Sequence, residues 1–288
     1  MKGIVLAGGL GSRLNPVTRG VSKQLLPVYD KPMVYYPISV LMNAGINQIL
    51  LISTPMDLPS YKRLLGDGSF FGVDLKYAEQ KEPNGLAEAF IIGENFIGKD
   101  GVCMILGDNI FYGKGLDILM QEAIELSKEA TVFGYRVKDP QRYGVIEFDH
   151  ERKVISIEEK PERPKSDKAL VGLYFYPNEV IEIAKNINPS ERGELEISSI
   201  NQVFLEGGNL KAKILDKGFT WLDTGTHESL IEAGLFVHTL EKRQGTKIAC
   251  LEEIAFEKNW ISKETLISSA KSLSHTDYGK YLLNRYNT

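Results

Sequence analysis

The sequence predicts an α/β fold, a doubly wound, mixed but mainly parallel sheet that carries a C-terminal helical appendage. Three observations predict it. Short apolar runs at 3–7, 48–53, 102–106 and 131–135 alternate with helical stretches at 33–44, 58–65 and 86–96, a pattern that builds a parallel sheet covered on both faces. After Asp139-Pro140, β-rich segments at 143–148, 153–158 and 169–176 extend that sheet. Helix returns from Glu196, and after a strand near 211–215 a helical run over 227–241 and pieces over 250–287, bounded by Ser262, Ser274 and Thr276, complete the chain.

No repeat or low-complexity linker interrupts the 288 residues, a length near which domains begin to split. The reading is one continuous domain over 1–240, with 241–288 as its helical extension. Within it, residues up to about 137 form one part and those from 138 to 226 a second.

The first element is the strand Lys2-Gly3-Ile4-Val5-Leu6. Directly behind it, Ala7-Gly8-Gly9-Leu10-Gly11-Ser12-Arg13-Leu14-Asn15-Pro16 has three glycines in four positions. Without Cβ atoms the backbone can pass close to a ligand, and successive N–H groups in such a turn converge on an anion. Arg13 adds a planar cation that matches phosphate oxygens. In open α/β sheets ligands bind beyond the carboxyl ends of strands, where this loop lies.

Two familiar loops are excluded. No Gly-Lys is followed by Ser or Thr, as a P-loop requires. Gly9-Leu10-Gly11-Ser12-Arg13-Leu14 fits a dinucleotide fingerprint until Leu14 replaces the small residue needed for helix packing. Pro16 and Pro27 then interrupt the crossover helix, and Asp30 is followed by Lys31-Pro32 instead of ending an apolar strand. Lys23, about ten residues beyond Arg13 on a Pro-bounded stretch, supplies a second cation that can fold over the same anion. Arg13 and Lys23 beside one glycine loop point to a polyphosphate site.

Further along, residues 115–128 form an amphipathic helix with Leu116, Leu119, Met120, Ala123, Ile124 and Ser127 on one face. Asp108 ends an apolar strand and follows Gly107, so its carboxylate should emerge at the ligand edge of the sheet; an isolated Asp in that place is more often a turn or helix cap. Asp223, in Trp221-Leu222-Asp223-Thr224-Gly225, is a similar case. Two acids meeting in one cleft would make a hard-oxygen site for Mg²⁺. Glu158-Glu159-Lys160-Pro161 ends the strand Val154-Ile155-Ser156-Ile157, and alternation places Glu159 and Lys160 on opposite faces unless the turn reorients them. On spacing alone that is also a solvated strand end. Gln80 follows a strand-like segment at 73–78; its amide offers both donor and acceptor to the O4/N3–H edge of thymine or uracil, with Gly85 letting a base lie on bare backbone. On these residues alone, a solvated loop residue and a turn glycine are the favoured reading. The four histidines, His150, His227, His238 and His275, form no catalytic set.

With 43% hydrophobic and 25% charged residues the composition is that of a soluble globular protein. A net charge of −4 argues against sequence-independent nucleic-acid binding, so attraction for an anionic substrate must come from a few placed cations. Cys103 and Cys250, 147 positions apart, make neither a disulfide framework nor a metal cluster and suit the reducing cytoplasm. The N-terminal stretch, a single Lys and a short apolar run broken by glycines, reads as a poor signal peptide, and no 18-residue apolar run occurs, so no membrane is expected as partner.

The series Gly8-Gly9-x-Gly11-Ser12-Arg13-Leu14-x-Pro16, Ser22-Lys23-Gln24-Leu25-Leu26-Pro27-Val28-Tyr29-Asp30-Lys31-Pro32, Leu106-Gly107-Asp108-Asn109, Arg142-Tyr143-Gly144-Val145, Glu158-Glu159-Lys160-Pro161, Arg192-Gly193-Glu194-Leu195-Glu196-Ile197, Trp221-Leu222-Asp223-Thr224-Gly225-Thr226 and Tyr278-Gly279-Lys280-Tyr281-Leu282-Leu283 spans nearly the whole chain. It resembles the signature of the sugar-1-phosphate nucleotidylyltransferases, and within them the branch using thymidine triphosphate. Leu10 and Ser12 depart from the usual Ser and Thr, so any role of position 10 passes to its backbone.

The resemblance implies the nucleotide-diphospho-sugar transferase fold and thymidylyl transfer from dTTP to glucose 1-phosphate, giving dTDP-glucose, the first step toward dTDP-L-rhamnose. The nucleotide would lie on Leu6, Gly8, Gly9, Gly11, Ser12, Arg13, Lys23, Gln80, Pro83, Gly85 and Asp108. Mg²⁺ would sit on Asp108 and Asp223. Lys160 and Arg192 would hold the sugar phosphate, Glu159 the sugar hydroxyls, and Asn109, Tyr143, Gly144 and Val171 would line the sugar pocket. Arg13, Lys23, Lys160, Asp108 and Asp223 would carry catalysis, and a homotetramer is expected. A UTP-using sister enzyme and a silent sugar-nucleotide sensor are the alternatives.

Overall fold

The computed structural model describes all residues except Leu10, Ser127, Arg152 and Thr288; the Leu10 departure and the Ser127 helix position therefore lie outside the described residues. The strands are β1 (Lys2–Leu6), β2 (Pro27–Val28), β3 (Lys31–Pro32), β4 (Gln48–Ser53), β5 (Asp74–Glu79), β6 (Val102–Leu106), β7 (Asn109–Tyr112), β8 (Ala130–Arg136), β9 (Gly144–Phe148), β10 (Val154–Glu159), β11 (Lys168–Tyr176), β12 (Leu210–Leu215) and β13 (Thr220–Asp223). The helices are α1 (Tyr35–Asn43), α2 (Leu58–Leu65), α3 (Glu88–Ile92), α4 (Glu94–Ile97), α5 (Leu116–Glu125), α6 (Val180–Asn186), α7 (Ile197–Glu206), α8 (His227–Gln244), α9 (Leu251–Glu257), α10 (Lys263–Ser272) and α11 (Asp277–Tyr286).

Nine strands form the main sheet among the described residues, in the order β10-β9-β11-β6-β1-β4-β5, with β8 joining β11 and β12 joining β8. β6, β1, β4 and β5 are parallel neighbours, whereas β11 runs antiparallel to β6, β8 and β9. The chain winds from β1 outward through β4 to β5, then returns to add β6 on the other side of β1. That reversal is a topological switch point, the place where open α/β sheets bind ligands. The glycine loop leaves β1 there, and Asp108 follows β6.

The strand sequences dictate the two cores. Val5, Leu51, Cys103, Ile105 and Phe175 point to one face, and Ile4, Leu50, Met104 and Tyr174 to the other, as the two-residue period of a strand requires. α1, α2, α5 and α9 cover the first face and α3, α6 and α7 the second. Hydrophobic contribution at both faces explains why these strands read as continuous apolar runs instead of alternating ones.

The chain departs from the predicted elements in informative places. The helix expected over 86–96 is two short ones, because it breaks at Gly93, where a Cβ would lie 2.9 Å from the Ala89 carbonyl and 3.1 Å from Ile4. The β2–β3 hairpin, the β7–β13 ribbon and α6 have no counterpart in the predicted elements. In the tail, Ser262 and Thr276 cap α10 and α11 through their hydroxyls, while α9 packs into the main core and a small cluster of Cys250, Leu266, Ala270 and Leu282 lies beneath the last helices.

Candidate active site

The glycine loop adopts the backbone its sequence permits. Gly9 and Gly11 have φ of 94° and 57°, values that favour glycine. The chain then turns through short helical turns at 12–14 and 23–25, which brings Lys23 back over the loop. The two cations and the loop enclose a cavity of about 260 Å³ lined by Gly8, Gly9, Gly11, Ser12, Arg13 and Lys23, with Asp108 and Gly225 on its far side.

Lys23 is buried and its Nζ donates to Asp108 Oδ2 at 2.5 Å. Asn109 Nδ2 donates to the other Asp108 oxygen at 2.8 Å. Burial by itself raises the Asp108 carboxyl, but the ion pair and hydrogen bonds to Lys23 outweigh it and hold the group below the ordinary aspartate value. β13 pairs with β7 so that Asp223 lies opposite Asn109, and the Thr224 hydroxyl donates to the Asp108 carbonyl at 2.8 Å. Two acids far apart in sequence thus meet. Burial raises the Asp223 carboxyl first and Asp108 next, against the opposing pull of Lys23, Arg13 and Arg142. At Gly225 an added Cβ would come 2.9 Å from Arg13 Nη2 and 3.1 Å from Asp223 Oδ1, so these two charges flank one bare glycine.

Beside this cavity lies a second, about 200 Å³, lined by Leu6, Gly8, Gly9, Gln80, Pro83, Gly85, Leu86 and Asp108. Gln80 is buried, and its Nε2 donates to the Gly85 carbonyl at 3.0 Å and to Glu88 Oε2 at 2.8 Å. Both donor hydrogens are committed, so the donor-plus-acceptor reading of this amide narrows to an acceptor.

The third group gathers where β9 and β10 end. Lys160 has φ of 43° and its N–H donates to the Tyr143 carbonyl at 3.0 Å, so the turn does reorient it: its Nζ stands 3.5 Å from Glu159 Oε1. Arg192 Nη2 lies 4.0 Å from the same oxygen and donates to Glu196 Oε1 at 2.7 Å. Gly144 is packed against Glu159, a Cβ there coming 3.3 Å from Oε2. Tyr143 stacks edge-on to Trp221 at 5.2 Å, and burial followed by the Asp223 charge raises its hydroxyl, which ties this group to the acid pair.

Two predicted residues are placed differently from the rest. Val171 is fully buried in the core, so only its main chain can face a ligand. Asn109 is also buried, and its Oδ1 accepts from the Gly172 N–H at 3.0 Å and the Trp221 indole at 2.6 Å while its amide holds Asp108. It is a scaffold joining β7, β11 and β13. Residue-by-residue reading passed over Gln24, Gly225, Glu88, Glu194 and Arg142. Gln24 and Arg142 stand inside motifs quoted above, so a signal existed for them; Glu88, on an ordinary helix start, had none.

Two carboxylates beside a phosphate-sized cavity suit a divalent, oxygen-preferring cation. No group of three or more His, Cys, Asp or Glu side chains that could hold a metal occurs among the described residues. No described helix is long and apolar enough to cross a membrane.

Comparison with known proteins adds an independent line. A family model for nucleotidyl transferases matches residues 2–239. A glucose-1-phosphate thymidylyltransferase of Neisseria meningitidis is 59% identical over 283 residues, 98% of each chain, and one of Mycobacterium tuberculosis is 54% identical, again over 98% of each. A Bacillus anthracis protein described as a glucose-1-phosphate thymidylyltransferase and crystallised with sucrose is 40% identical with a TM-score of 0.77, covering 82% of this chain and 94% of its own. A UDP-glucose pyrophosphorylase bound to UDP-glucose, 23% identical with a TM-score of 0.72 over 83% of this chain and 98% of its own, shares the fold.

Proposed function

The chain belongs to the nucleotidyl transferase family, and on that premise we propose that it transfers a thymidylyl group from dTTP to α-D-glucose 1-phosphate, forming dTDP-glucose and pyrophosphate. One observation carries the reading: Arg13, Lys23, Asp108 and Asp223 converge on the glycine loop at the switch point, next to a base-sized cavity and a separate cationic pair, Lys160 and Arg192.

A phosphate oxygen of the sugar phosphate attacks the α-phosphorus, and the bond to the oxygen bridging the β-phosphorus breaks. The attacking oxygen is already an anion, so no general base is needed. The obstacle is repulsion between two charged phosphates, and catalysis consists of positioning and neutralisation. The loop N–H groups and Arg13 hold the departing pyrophosphate. Lys23, anchored by Asp108, bridges the nucleotide phosphates. Lys160 and Arg192 aim the sugar phosphate, and Glu159 accepts hydrogen bonds from sugar hydroxyls over a floor of Tyr143, Gly144 and the Val171 main chain. Asp108 and Asp223 would hold Mg²⁺, which prefers one or two carboxylates plus phosphate and water oxygens. When bound it polarises the α-phosphate.

On this reading residues 1–137 hold the nucleotide, 138–226 the sugar phosphate, and 241–288 extend the same domain. We also expect a cytoplasmic homotetramer; Ile231 and Leu235, 63% and 60% exposed one turn apart on α8, are apolar surface such an assembly would cover. Light scattering that returns a monomer overturns that part.

The test is kcat/KM for dTTP and for UTP with glucose 1-phosphate. A clear dTTP preference is expected, although a single methyl is worth only about 1–3 kcal/mol. Preference for UTP overturns the substrate, and absence of pyrophosphate release with either nucleotide and Mg²⁺ overturns the enzyme.

A further inference from the structure

Gln80 and Glu88 form a unit that the transfer step does not use. Gln80 follows β5, and its main-chain N–H is fixed by the Ser53 carbonyl at 2.8 Å. Its side-chain NH₂ carries two hydrogens, one on the Gly85 carbonyl and one on Glu88 Oε2. Both partners can only accept. The amide therefore has one permitted orientation, because turning it over would set Oε1 against a carbonyl and a carboxylate.

That leaves Oε1 as the one polar atom of the side chain without a partner among the described residues. It faces Gly8, where a Cβ would come within 3.0 Å of it, so glycine at position 8 makes room for it in the base-sized cavity. Across that cavity the Gly85 N–H donates no hydrogen bond among the described residues. Gly85 has φ of +104°, and a Cβ there would come 2.4 Å from the Leu195 carbonyl. Its amide is thus both bare and fixed in place. Glu88 is itself held, since its Oε1 accepts from Asn84 Nδ2 at 2.8 Å.

We propose that Glu88 is a positioning residue that locks the Gln80 amide with its carbonyl toward the nucleobase, so that the pocket selects an imide edge. One acceptor, Gln80 Oε1, and one donor, the Gly85 N–H, match an N3–H beside a carbonyl, as in thymine or uracil. Cytosine presents N3 as an acceptor without a hydrogen, which sets two lone pairs against each other. The inference rests on the thymidylyl-transfer reading above and adds to it the origin of base selection.

The experiment measures kcat/KM for dTTP and dCTP, each with glucose 1-phosphate, in the full-length chain and in Glu88→Met, Glu88→Ala and Glu88→Gln. Without the carboxylate the amide is free to turn, and the dTTP-to-dCTP ratio falls about tenfold, as loss of one directed hydrogen bond predicts, mainly through a higher KM for dTTP. Glu88→Gln keeps an accepting carbonyl opposite Nε2 and retains the ratio within about threefold. An unchanged ratio in Glu88→Met and Glu88→Ala, with kcat lowered alike for both nucleotides, means a structural role and overturns the proposal. So does Glu88→Gln losing as much selectivity as Glu88→Ala. Glu88→Met keeps the bulk of the side chain, so it reads the same quantity if Glu88→Ala does not fold. An unsubstituted enzyme that fails to use dTTP overturns the underlying reading instead.

Discussion

Two charged clusters flank the segment 23–31, and they are built on opposite plans. Asp30, Lys31, Glu241 and Lys247 close a ring: Lys31 Nζ donates to Asp30 and Glu241 at 2.5 and 2.8 Å, and Lys247 Nζ donates to the remaining oxygens of both at 2.5 and 2.8 Å. Two positive charges cancel two negative ones, and Lys31 and Glu241 are buried. At the cavity behind the glycine loop only Lys23 and Asp108 are paired among the described residues. Arg13 and Asp223 face the same glycine without an ion pair among the described residues. The closed ring clamps the β2–β3 hairpin, and with it the segment carrying Lys23, onto the end of α8. The open cluster leaves charges unspent for a ligand. Charge that is balanced inside the chain holds structure; charge that is not stays open to a ligand.

The largest effect should come from the open cluster. Asp223→Asn is expected to lower kcat by about 10²–10³-fold, measured as pyrophosphate release, with folding stability no lower than before because Asp108 and Asp223 repel. Asp108→Asn should lower kcat as far but also destabilise, since it deprives buried Lys23 of its partner. Near-normal rates at limiting Mg²⁺ in either variant would remove that residue from the metal site. Next comes the closed ring. Lys31→Met leaves both carboxylates to share Lys247 alone, one buried negative charge in excess, and a cost of about 3 kcal/mol is expected in urea unfolding; a loss under about 1 kcal/mol would mean that the ring does not clamp the hairpin.

A smaller effect concerns pH. Burial pushes the Asp30 carboxyl up, but Lys31 and Lys247 together hold it below its ordinary value. Its contribution is present above the unfolded aspartate value, about 3.9, and is lost as pH falls through the lower folded value. Lys247 is the mirror case: burial opposes its charge, yet Asp30 and Glu241 push it up to about 12, so its contribution is full below about 10.4 and lost as pH rises toward 12. Asp30→Asn should flatten the acid limb of a stability–pH profile, and an unaltered limb would show that other carboxylates carry it. The smallest change is Gly225→Ala. Its methyl nudges Arg13 and Asp223, and kcat/KM should drop about fivefold with the melting temperature unchanged; full activity would show that the two side chains move aside freely.

How much of this was legible depended on whether the cause was local. β1, β6, β9, β10 and β11 follow from apolar runs, and Ser262 and Thr276 foretell their helices because a cap is set by neighbouring residues. The β2–β3 hairpin has only two residue pairs, too few for a periodic signal, and the β7–β13 ribbon joins segments far apart in the chain. The motifs marked Arg13, Lys23, Asp108, Lys160 and Asp223 as chemically apt. They could not say that Asn109 would be spent as a scaffold, that Val171 would turn its side chain into the core, or that Gln80 would lose both donors to neighbours.

The sequence by itself determined the glycine loop, most of the strands and helices of the main sheet, and which residue types carry charge beside that loop, since backbone freedom and periodicity are properties of short stretches. Only the tertiary structure decided which charges would be cancelled. Glu241 is 210 residues from Lys31 and Asp108 is 85 from Lys23, and a side chain's ionic partner is chosen by the fold that brings distant elements together, because unscreened attraction acts over ångströms and not over sequence.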